Sequence, residues 1–252
     1  MTIISQGAEA ILTKKGSNVI KDRIKKSYRL PEIDTRIRKQ RTKKEARLLN
    51  KAQSLIPVPK IIKLDEKNNK ITLEYLNGLK LSNNLDKLTN NLKICKTIGK
   101  QISILHDNGI IHGDLTTSNM IYIPSNKNKV KNKLIKNNTK VELSNNNLTD
   151  ISRNERARVH EGTINIKHEP SDSEASDKVY FIDFGLGYES NSPEDKAVDL
   201  HLIKQALEAK HFKHYEKYWK SILEGYRTSA NSKAVLNRLN KVELRGRYKQ
   251  AY

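Results

Sequence analysis

The sequence predicts an α+β protein of two lobes, in which a β-rich first lobe precedes a helical second lobe. Short apolar runs separated by polar turns fill the chain as far as residue 76, whereas apolar residues recur every three or four positions beyond it. The chain has 252 residues, which is enough for one large domain or two small ones. We therefore predict one lobe at residues 1–76 and the other at residues 77–252.

The first lobe is predicted to contain five strands and one helix. Small or polar residues between the apolar runs indicate strands that are joined by turns. A basic helix is predicted at Thr35–Ala52, where apolar residues return at helical spacing. The predicted strands are Ile3–Ile4, Ala10–Thr13, Asn18–Lys21, Val58–Ile62 and Ile71–Tyr75.

The second lobe is predicted to be mostly helical. One helix has an apolar stripe of the kind that faces a core, and it ends near Gly109, a residue type that is common at helix C-termini. A buried strand is predicted at Val179–Ile182. The further predicted helices are Ala197–Ala209, Tyr215–Tyr226 and Lys233–Leu239. The stripe of the first helix consists of Leu88, Leu92, Cys95, Ile98, Ile102 and Leu105.

Two segments differ in composition from the rest of the chain. Residues Ser125–Asp177 contain runs of Asn and Lys, few aromatic residues and little periodicity. A stretch of this length and composition inside a compact domain predicts a disordered insertion. The C-terminal residues are rich in Lys and Arg, so we expect a basic C-terminal tail that includes Arg245 and Arg247.

The charge of the chain indicates a polyanionic partner. Lys and Arg total 48 and Asp and Glu total 28, which gives a net charge of +20 at pH 7. Such a surface attracts nucleic acids and phosphorylated ligands, although a lysine-rich solvated surface would have the same composition. The single cysteine, Cys95, excludes an intrachain disulfide and a zinc site built from cysteines. Without a long apolar span or a signal peptide, we expect a soluble protein of the cytoplasm and nucleus with no membrane partner.

Two motifs carry the chemistry. The segment His112–Asn119 reads His-Gly-Asp-Leu-Thr-Thr-Ser-Asn, and Asp183-Phe184-Gly185 follows a predicted buried strand. They resemble the H-x-D-x-x-x-x-N catalytic loop and the D-F-G metal motif of protein kinases, and so predict a two-lobed protein-kinase-like fold that uses ATP and magnesium. Asp114 would orient the proton of the attacking hydroxyl or water, and Asn119 and Asp183 would hold Mg²⁺. Gly185 would let the backbone turn tightly beneath the metal.

Further positions match the nucleotide site of kinases. Lys21 stands where the strand lysine contacts the phosphates, and Glu45 on the basic helix is the carboxylate that would fix it. A surface lysine and a solvated helical glutamate are the alternatives for these two. The turn with Gly7 and Ala8 lies where kinases have a glycine-rich loop, but it has one glycine only. The candidates for the adenine pocket are Leu73 at its back wall and Glu74 and Leu76 at the hinge.

The sequence also departs from ordinary protein kinases. Gly113 replaces the arginine that binds a phosphorylated activation loop, and Thr116 stands where a lysine near the γ-phosphate is usual. The activation segment between Asp183 and Asp199 is minimal and contains no A-P-E. These features predict a kinase with little platform for peptides, or one whose acceptor is water. Asp199 resembles the helix aspartate that holds the catalytic loop, but a simple acid in the first helical turn is the alternative.

Together these segments resemble the small atypical kinases of the KEOPS (EKC) complex, the PRPK family. The resemblance covers nearly the whole chain except Ser125–Asp177. The blocks that carry it are Gly7–Ala10, Val19–Lys21, Tyr28–Asp34, Arg41–Arg47, His112–Asn119, Ile182–Gly187, Glu194–Leu200 and Leu244–Arg247.

The resemblance implies an atypical serine/threonine protein kinase with ATPase activity. Its complex forms the threonylcarbamoyl group on the adenosine beside the anticodon of tRNAs that read A-starting codons. The implied partners are the threonylcarbamoyl-transferase subunit, a small subunit that docks on the N-lobe, and tRNA. Two alternatives remain at this stage, a small-molecule kinase of the aminoglycoside- or choline-kinase type and a non-catalytic scaffold that binds nucleotide and tRNA. Arg245 and Arg247 would contact tRNA phosphates or pack on a partner subunit.

Overall fold

The computed structural model describes residues 1–7, 9–125 and 177–247, and for residues 246 and 247 it describes the backbone alone. By its internal contacts the chain divides into two units, Met1–Ile123 with Lys178–Tyr252, and Pro124–Asp177. The predicted disordered insertion therefore lies outside the described residues except at its two ends, and it stays a prediction. The residue at which the first lobe ends, predicted at 76, also stays a prediction.

A five-stranded antiparallel sheet forms the first part of the chain, as the sequence predicts. Its strand order is β1-β2-β3-β5-β4, so β3 lies at its centre between β2 and β5. The strands are β1 (Thr2–Gln6), β2 (Ile11–Lys15), β3 (Asn18–Asp22), β4 (Ile61–Asp65) and β5 (Lys70–Glu74). The central position of β3 is what brings Lys21 to the middle of the sheet.

The predicted strand Val58–Ile62 is wrong in its first half, since β4 begins only at Ile61. Proline has no N–H to donate to a ladder, so Pro57 and Pro59 keep this stretch out of the sheet. The carbonyl of Pro57 instead accepts the N–H of Phe181 at 3.0 Å. Val58 is nevertheless buried, which explains its apolar character.

The basic helix α1 (Pro31–Ala52) packs beside the sheet and starts four residues earlier than predicted. Proline at the first helical position is pre-organised for a helix, and the first turn carries Glu32 and Asp34, which suit the positive end of the helix dipole. The helix buries Leu48 and Leu49 in the core together with Glu45, which faces the catalytic motifs.

The second part of the chain is mainly helical. Its helices are α2 (Leu81–Asn84), α3 (Asn91–Asp107), α4 (Pro193–Lys210), α5 (Tyr215–Tyr226) and α6 (Ser232–Arg247). Leu88 is buried but lies before α3, and Leu92 is 45% exposed, so the predicted apolar stripe is wrong at Leu92. Burial raises the pKa of the Cys95 thiol to about 12, as expected of a core cysteine. Helix α6 runs well past Leu239, so the predicted basic tail is helical as far as residue 247.

Glycines allow α3 and α5 to cross at very short range. A Cβ atom at Gly99 would overlap the carbonyl oxygen of Ile222, and one at Gly225 would overlap that of Lys96. The two backbones therefore touch where no side chain intervenes. In the described part of the chain, no helix combines the length and the apolar character that crossing a membrane requires.

Short strands position the catalytic motifs. The strands β6 (Leu79–Lys80), β8 (Met120–Ile123) and β9 (Lys178–Phe181) form one small sheet, and β7 (Ile110–Ile111) pairs with β10 (Tyr188–Glu189). The segment 112–119 thus connects β7 to β8, and Asp183 follows β9. At the outer end of the β8–β9 ladder Ile123 pairs with Lys178, and the Ser125 N–H donates to Asp177 Oδ1 at 2.8 Å.

Candidate active site

A cavity of about 580 Å³ opens between the five-stranded sheet, α1 and the catalytic motifs. It brings together most of the residues that the sequence singles out, from six separate parts of the chain. The predicted residues that line it are Gly7, Lys21, Glu45, Leu73, Glu74, Leu76, Asp114, Asn119 and Asp183. Ala8 lies outside the described residues.

Lys21 is buried at the floor of this cavity. Side chains alternate across a strand, so Val19 and Lys21 share the face of β3 that lines the cavity. Only 6% of Lys21 is exposed, and its Nζ donates to Glu45 Oε1 and to Asp183 Oδ1, both at 2.7 Å. The structure therefore excludes the alternative of a surface lysine.

Glu45 is fully buried on α1, so the alternative of a solvated helical glutamate is also excluded. Its Oε1 accepts from Lys21, and its Oε2 accepts from Arg23 Nη2 at 2.5 Å. A buried carboxylate needs such charged donors because burial alone disfavours its ionised form. Arg23 was not predicted as a site residue, although its position two residues after Lys21, just past the end of β3, was a usable signal.

Asp183 adopts a left-handed backbone conformation, with φ of 64°. Few non-glycine residues do so, and at active sites such strain holds a side chain in a fixed direction. Its Oδ1 also accepts the N–H of Gly185 at 3.2 Å. Burial by itself would raise the pKa of Asp183, but the positive charge of Lys21, these hydrogen bonds and the more distant Arg23 outweigh burial and lower it. The carboxylate is therefore held in its ionised form.

The role expected for Gly185 differs in the structure. The positive φ of this turn belongs to Asp183, not to Gly185. A Cβ atom at residue 185 would lie 2.7 Å from Arg23 Nη2 and 3.0 Å from Asp183 Oδ1. Residue 185 is a glycine because the ion-paired groups of Arg23 and Asp183 occupy the space that a side chain would need.

Asp114 and Asn119 are joined directly. The Nδ2 of Asn119 donates to Asp114 Oδ2 at 2.8 Å and to the main-chain oxygen of Asp114 at 3.0 Å. Both amide hydrogens are thereby used, which leaves the oxygen of Asn119 as the atom that can bind a cation.

Asp199 on α4 holds the loop that carries Asp114. Its Oδ2 accepts the N–H of His112 at 2.8 Å, and its Oδ1 accepts the N–H of Gly113 at 2.9 Å. The buried His106 contacts the same carboxylate through Nε2 at 3.2 Å. This is the arrangement that the kinase resemblance implies, and it is more than an acid in a first helical turn.

Gly113 is required by the backbone. Its φ is 75°, and a Cβ there would lie 2.6 Å from the carbonyl oxygen of Leu186. An arginine at this position would be strained and would collide with the short segment that follows Asp183. The structure thus explains why the residue before Asp114 differs from that of regulated protein kinases.

The oxygen atoms near the cavity fit magnesium. No hydrogen bond among the described residues engages Asp183 Oδ2 or Asn119 Oδ1, so one carboxylate and one amide oxygen remain. Mg²⁺ is usually held by one or two protein oxygens together with phosphates and waters. Within the described ranges no cluster of three or more His, Cys, Asp or Glu residues is placed to bind a metal. The donor set therefore suits a magnesium ion that arrives with a nucleotide.

The hinge has one amide available for a base. The N–H groups of Glu74 and Tyr75 donate to the carbonyls of Lys60 and Ser17, each at 2.9 Å. Among the described residues no backbone hydrogen bond engages the N–H of Leu76. Leu76 therefore offers the donor, and Leu73 and Val19 supply apolar walls to the cavity.

An ion-pair cluster ties the Gly7 turn to α1. The N–H of Gly7 donates to the carbonyl of Ala10 at 3.0 Å. Glu9, in the same turn, pairs with Arg41 at 2.6 Å and with Arg29 at 3.4 Å. These pairs were not predicted from the sequence. They hold Glu9 against two arginines, of which Arg41 is on α1.

The candidate tRNA contacts lie elsewhere. Arg245 is on α6, its Nη1 is 2.5 Å from Glu194 Oε1, and it does not line the cavity. Arg238 pairs with the other oxygen of Glu194. The side chain of Arg247 is outside the described residues. The structure therefore places Arg245 on the surface, 61% exposed, and engaged with a carboxylate of the same chain.

Comparisons with known proteins show which family the chain resembles. Residues 13–149 match the RIO domain family. The KEOPS complex subunit Bud32 of Pyrococcus abyssi is 36% identical over 99% of the chain and 97% of its own length. A probable bifunctional tRNA threonylcarbamoyladenosine biosynthesis protein of Methanococcus maripaludis is 32% identical over 98% of the chain, which spans 36% of that longer protein.

A solved structure confirms the fold. The Rio2 kinase of Chaetomium thermophilum, in its ADP/Mg²⁺-phosphoaspartate complex, aligns with a TM-score of 0.51 at 14% identity, over 99% of this chain and 72% of that one. The predicted kinase-like α+β fold is therefore correct.

Proposed function

The chain belongs to the RIO-domain family and, within it, to the Bud32 subunits of KEOPS complexes, and we propose that it is an ATP-hydrolysing atypical serine/threonine kinase. The observation that carries the proposal is the meeting of Lys21, Glu45 and Asp183 through 2.7 Å contacts, in the cavity that Asp114 and Asn119 also line. Phosphoryl transfer depends on such alignment and charge neutralisation more than on covalent help.

Each side chain has a place in this chemistry. Lys21 contacts the α- and β-phosphates, and Glu45 keeps it aligned. Asn119 and Asp183 would hold Mg²⁺, which would supply neutralisation of the charge on the phosphates. Asp114, oriented by Asn119, accepts the proton of the attacking hydroxyl or water. The adenine lies at the hinge, between the apolar walls and the N–H of Leu76.

The segment after Asp183 favours water over a peptide as acceptor. Its strand β10 pairs with β7, and Glu189 forms ion pairs with Arg47 and Lys51 on α1. At the other side Ser190 Oγ donates to Asp195 at 2.5 Å. A segment this short, anchored at both of these points, gives a peptide little chain to align against, so hydrolysis is the favoured reaction.

The relatives support a proposal about the assembly and its pathway. We propose that the chain acts within a KEOPS complex, in cytoplasm and nucleus, and supports formation of threonylcarbamoyladenosine in tRNA. The transferase subunit, a small subunit on the N-lobe and tRNA are the proposed partners. The net charge of +20 suits a tRNA partner, since each phosphate contact adds a sequence-independent electrostatic contribution.

ATP turnover by the D183A variant tests the catalytic part of this proposal. The expected result is the loss of magnesium-dependent phosphate release, with and without tRNA and the transferase subunit, while ATP binding in the absence of magnesium is retained. The matched control is E66Q, which alters an exposed carboxylate that pairs with Lys43. Turnover by D183A at the rate of the parent protein would exclude the metal site.

Two experiments test the alternatives of a small-molecule kinase and a non-catalytic scaffold. Phosphate transfer to an aminoglycoside or choline faster than to water would favour a small-molecule kinase. Full support of tRNA modification in cells by D183A would favour a scaffold without catalysis.

A further inference from the structure

Arg23 is a buried cation that the kinase motifs do not account for. It lies one residue past the end of β3 and two residues after Lys21, so both side chains extend from the same side of the strand. Only 5% of Arg23 is exposed, and it lines the cavity beside the catalytic residues. Its N–H donates to the carbonyl of Asn69 at 3.4 Å, which continues the sheet and fixes its backbone.

The guanidinium of Arg23 has an incomplete set of partners. Its Nη2 is 2.5 Å from Glu45 Oε2, but among the described residues its buried Nε has no hydrogen-bond partner. Leaving a buried donor unpaired costs folding free energy, and such groups therefore call for a functional explanation. A Cβ atom at Gly185 would lie 2.7 Å from Arg23 Nη2. The guanidinium therefore occupies space that is free because residue 185 is a glycine.

The charges around Glu45 give a reason for a second buried cation beside Lys21. Lys21 is shared between Glu45 and Asp183. The triphosphate of a bound nucleotide would be a third anion that competes for the same ammonium. If Glu45 had no other partner, this fully buried carboxylate would keep Lys21 away from the phosphates, since a buried charge without compensation is strongly unfavourable. Arg23 satisfies the second oxygen of Glu45 whatever Lys21 does.

We propose that Arg23 is a positioning residue, the permanent countercharge of Glu45 that leaves Lys21 available to the phosphates of a nucleotide. Through Glu45 it fixes α1 to the end of β3. The inference rests on the proposed function, because it assumes that the cavity binds ATP.

The test compares R23Q and R23K with the parent protein in the KM for ATP, in kcat, and in the dissociation constant for ATP without magnesium. We expect R23Q to raise KM and the dissociation constant about tenfold while kcat changes less, because the lost interaction acts on phosphate binding. R23K should recover most of the affinity, since an ammonium also neutralises Glu45. The matched control is R36Q, an exposed arginine on α1.

The E45Q background decides whether Arg23 acts through Glu45. There the carboxylate is gone, so adding R23Q should change ATP affinity less than about twofold. A tenfold loss in both backgrounds would overturn the proposal, as would a well-folded R23Q with the affinity of the parent protein. If R23Q does not fold, R23M, which also removes the charge, carries the comparison, and an equal loss of affinity with and without E45Q would overturn the proposal in the same way. Failure of the parent protein to bind ATP at all would instead refute the proposed function.

Discussion

The ammonium of Lys21 lies 2.7 Å from Asp183 Oδ1, although the two residues are 162 positions apart in the chain. The contact joins the centre of the five-stranded sheet to the turn after β9. Glu45 brings α1 to the same nitrogen. The charged groups that we propose to act on the phosphates are thus already assembled, so variants at these positions report on chemistry without a preceding rearrangement.

The first prediction concerns Asp183 and pH. Its pKa is lowered in the folded protein from an ordinary value of 3.8, so the ionised form stabilises the fold above that value and the contribution is lost as pH falls through the lowered pKa. D183N removes the titrating group and keeps the shape. We expect the difference in unfolding free energy between the parent protein and D183N, measured by urea denaturation, to be largest near neutral pH and to shrink in acid. A difference that stays constant down to pH of about 3 would contradict the lowered pKa.

The second prediction concerns Asp199, which orients the catalytic loop through the N–H groups of His112 and Gly113. D199N turns one acceptor into a donor that faces an N–H, so the loop must shift. We expect kcat for ATP hydrolysis to fall about 100-fold, since small misplacements of catalytic groups have effects of this size. The dissociation constant for ATP should change little. E208Q on the exposed side of α4 is the control, and unchanged turnover in D199N would show that the loop holds its position without this carboxylate.

The third prediction concerns Gly99, where α3 and α5 touch. Helix propensity alone predicts that Gly99→Ala stabilises α3 by about 1 kcal/mol. The added methyl group would overlap the carbonyl oxygen of Ile222, and such overpacking costs about 1–3 kcal/mol or more. We therefore expect net destabilisation in thermal and urea unfolding. K100A, next to it on the exposed side of α3, should leave stability within about 0.5 kcal/mol. A more stable Gly99→Ala protein would mean that the helices separate at little cost.

The fourth prediction concerns the surface of α6 and tRNA. If Arg245 and Arg247 contact phosphates, the R245Q/R247Q variant should weaken tRNA-stimulated ATP turnover and reduce the salt dependence of tRNA binding by about one unit of log–log slope per lost contact. Glu194 pairs with Arg245 in the free chain and competes for it, so E194Q should strengthen tRNA binding. K67Q, an exposed lysine in the β4–β5 turn, is the control. An unchanged salt slope in R245Q/R247Q would argue that this helix faces a protein instead.

Much of the site was predictable from two short motifs. Asp114 and Asn119 belong to one motif and Asp183 begins the other, and each motif adjoins a strand with a clear apolar pattern. Lys21 was recognisable for the same reason. What escaped prediction depends on long-range packing. No local pattern shows that Arg23 shares Glu45 with Lys21, or that Glu9 reaches back to Arg41, since these partners meet only after the helix docks on the sheet.

The errors in secondary structure have local causes. The apolar segment at Val58 resembles a strand in composition. The two prolines that flank it have no N–H to donate to a neighbouring strand, however, and this was not taken into account. Leu92 fits the stripe of α3 by spacing, but it is the second residue of the helix and its side chain is on the exposed side. Sequence periodicity does not show where a helix meets its neighbour, and so the ends of elements were less predictable than their centres.

The outer end of the β8–β9 ladder has a practical consequence. Ile123 and Lys178 are partners, and the Ser125 N–H donates to Asp177, so the chain departs from and rejoins the small sheet at adjacent points. Loop length alters closure entropy only logarithmically. A protein engineer could therefore splice a two-residue turn, a reporter domain or an affinity tag into this junction and leave the spacing of Asn119 and Asp183 in space unchanged.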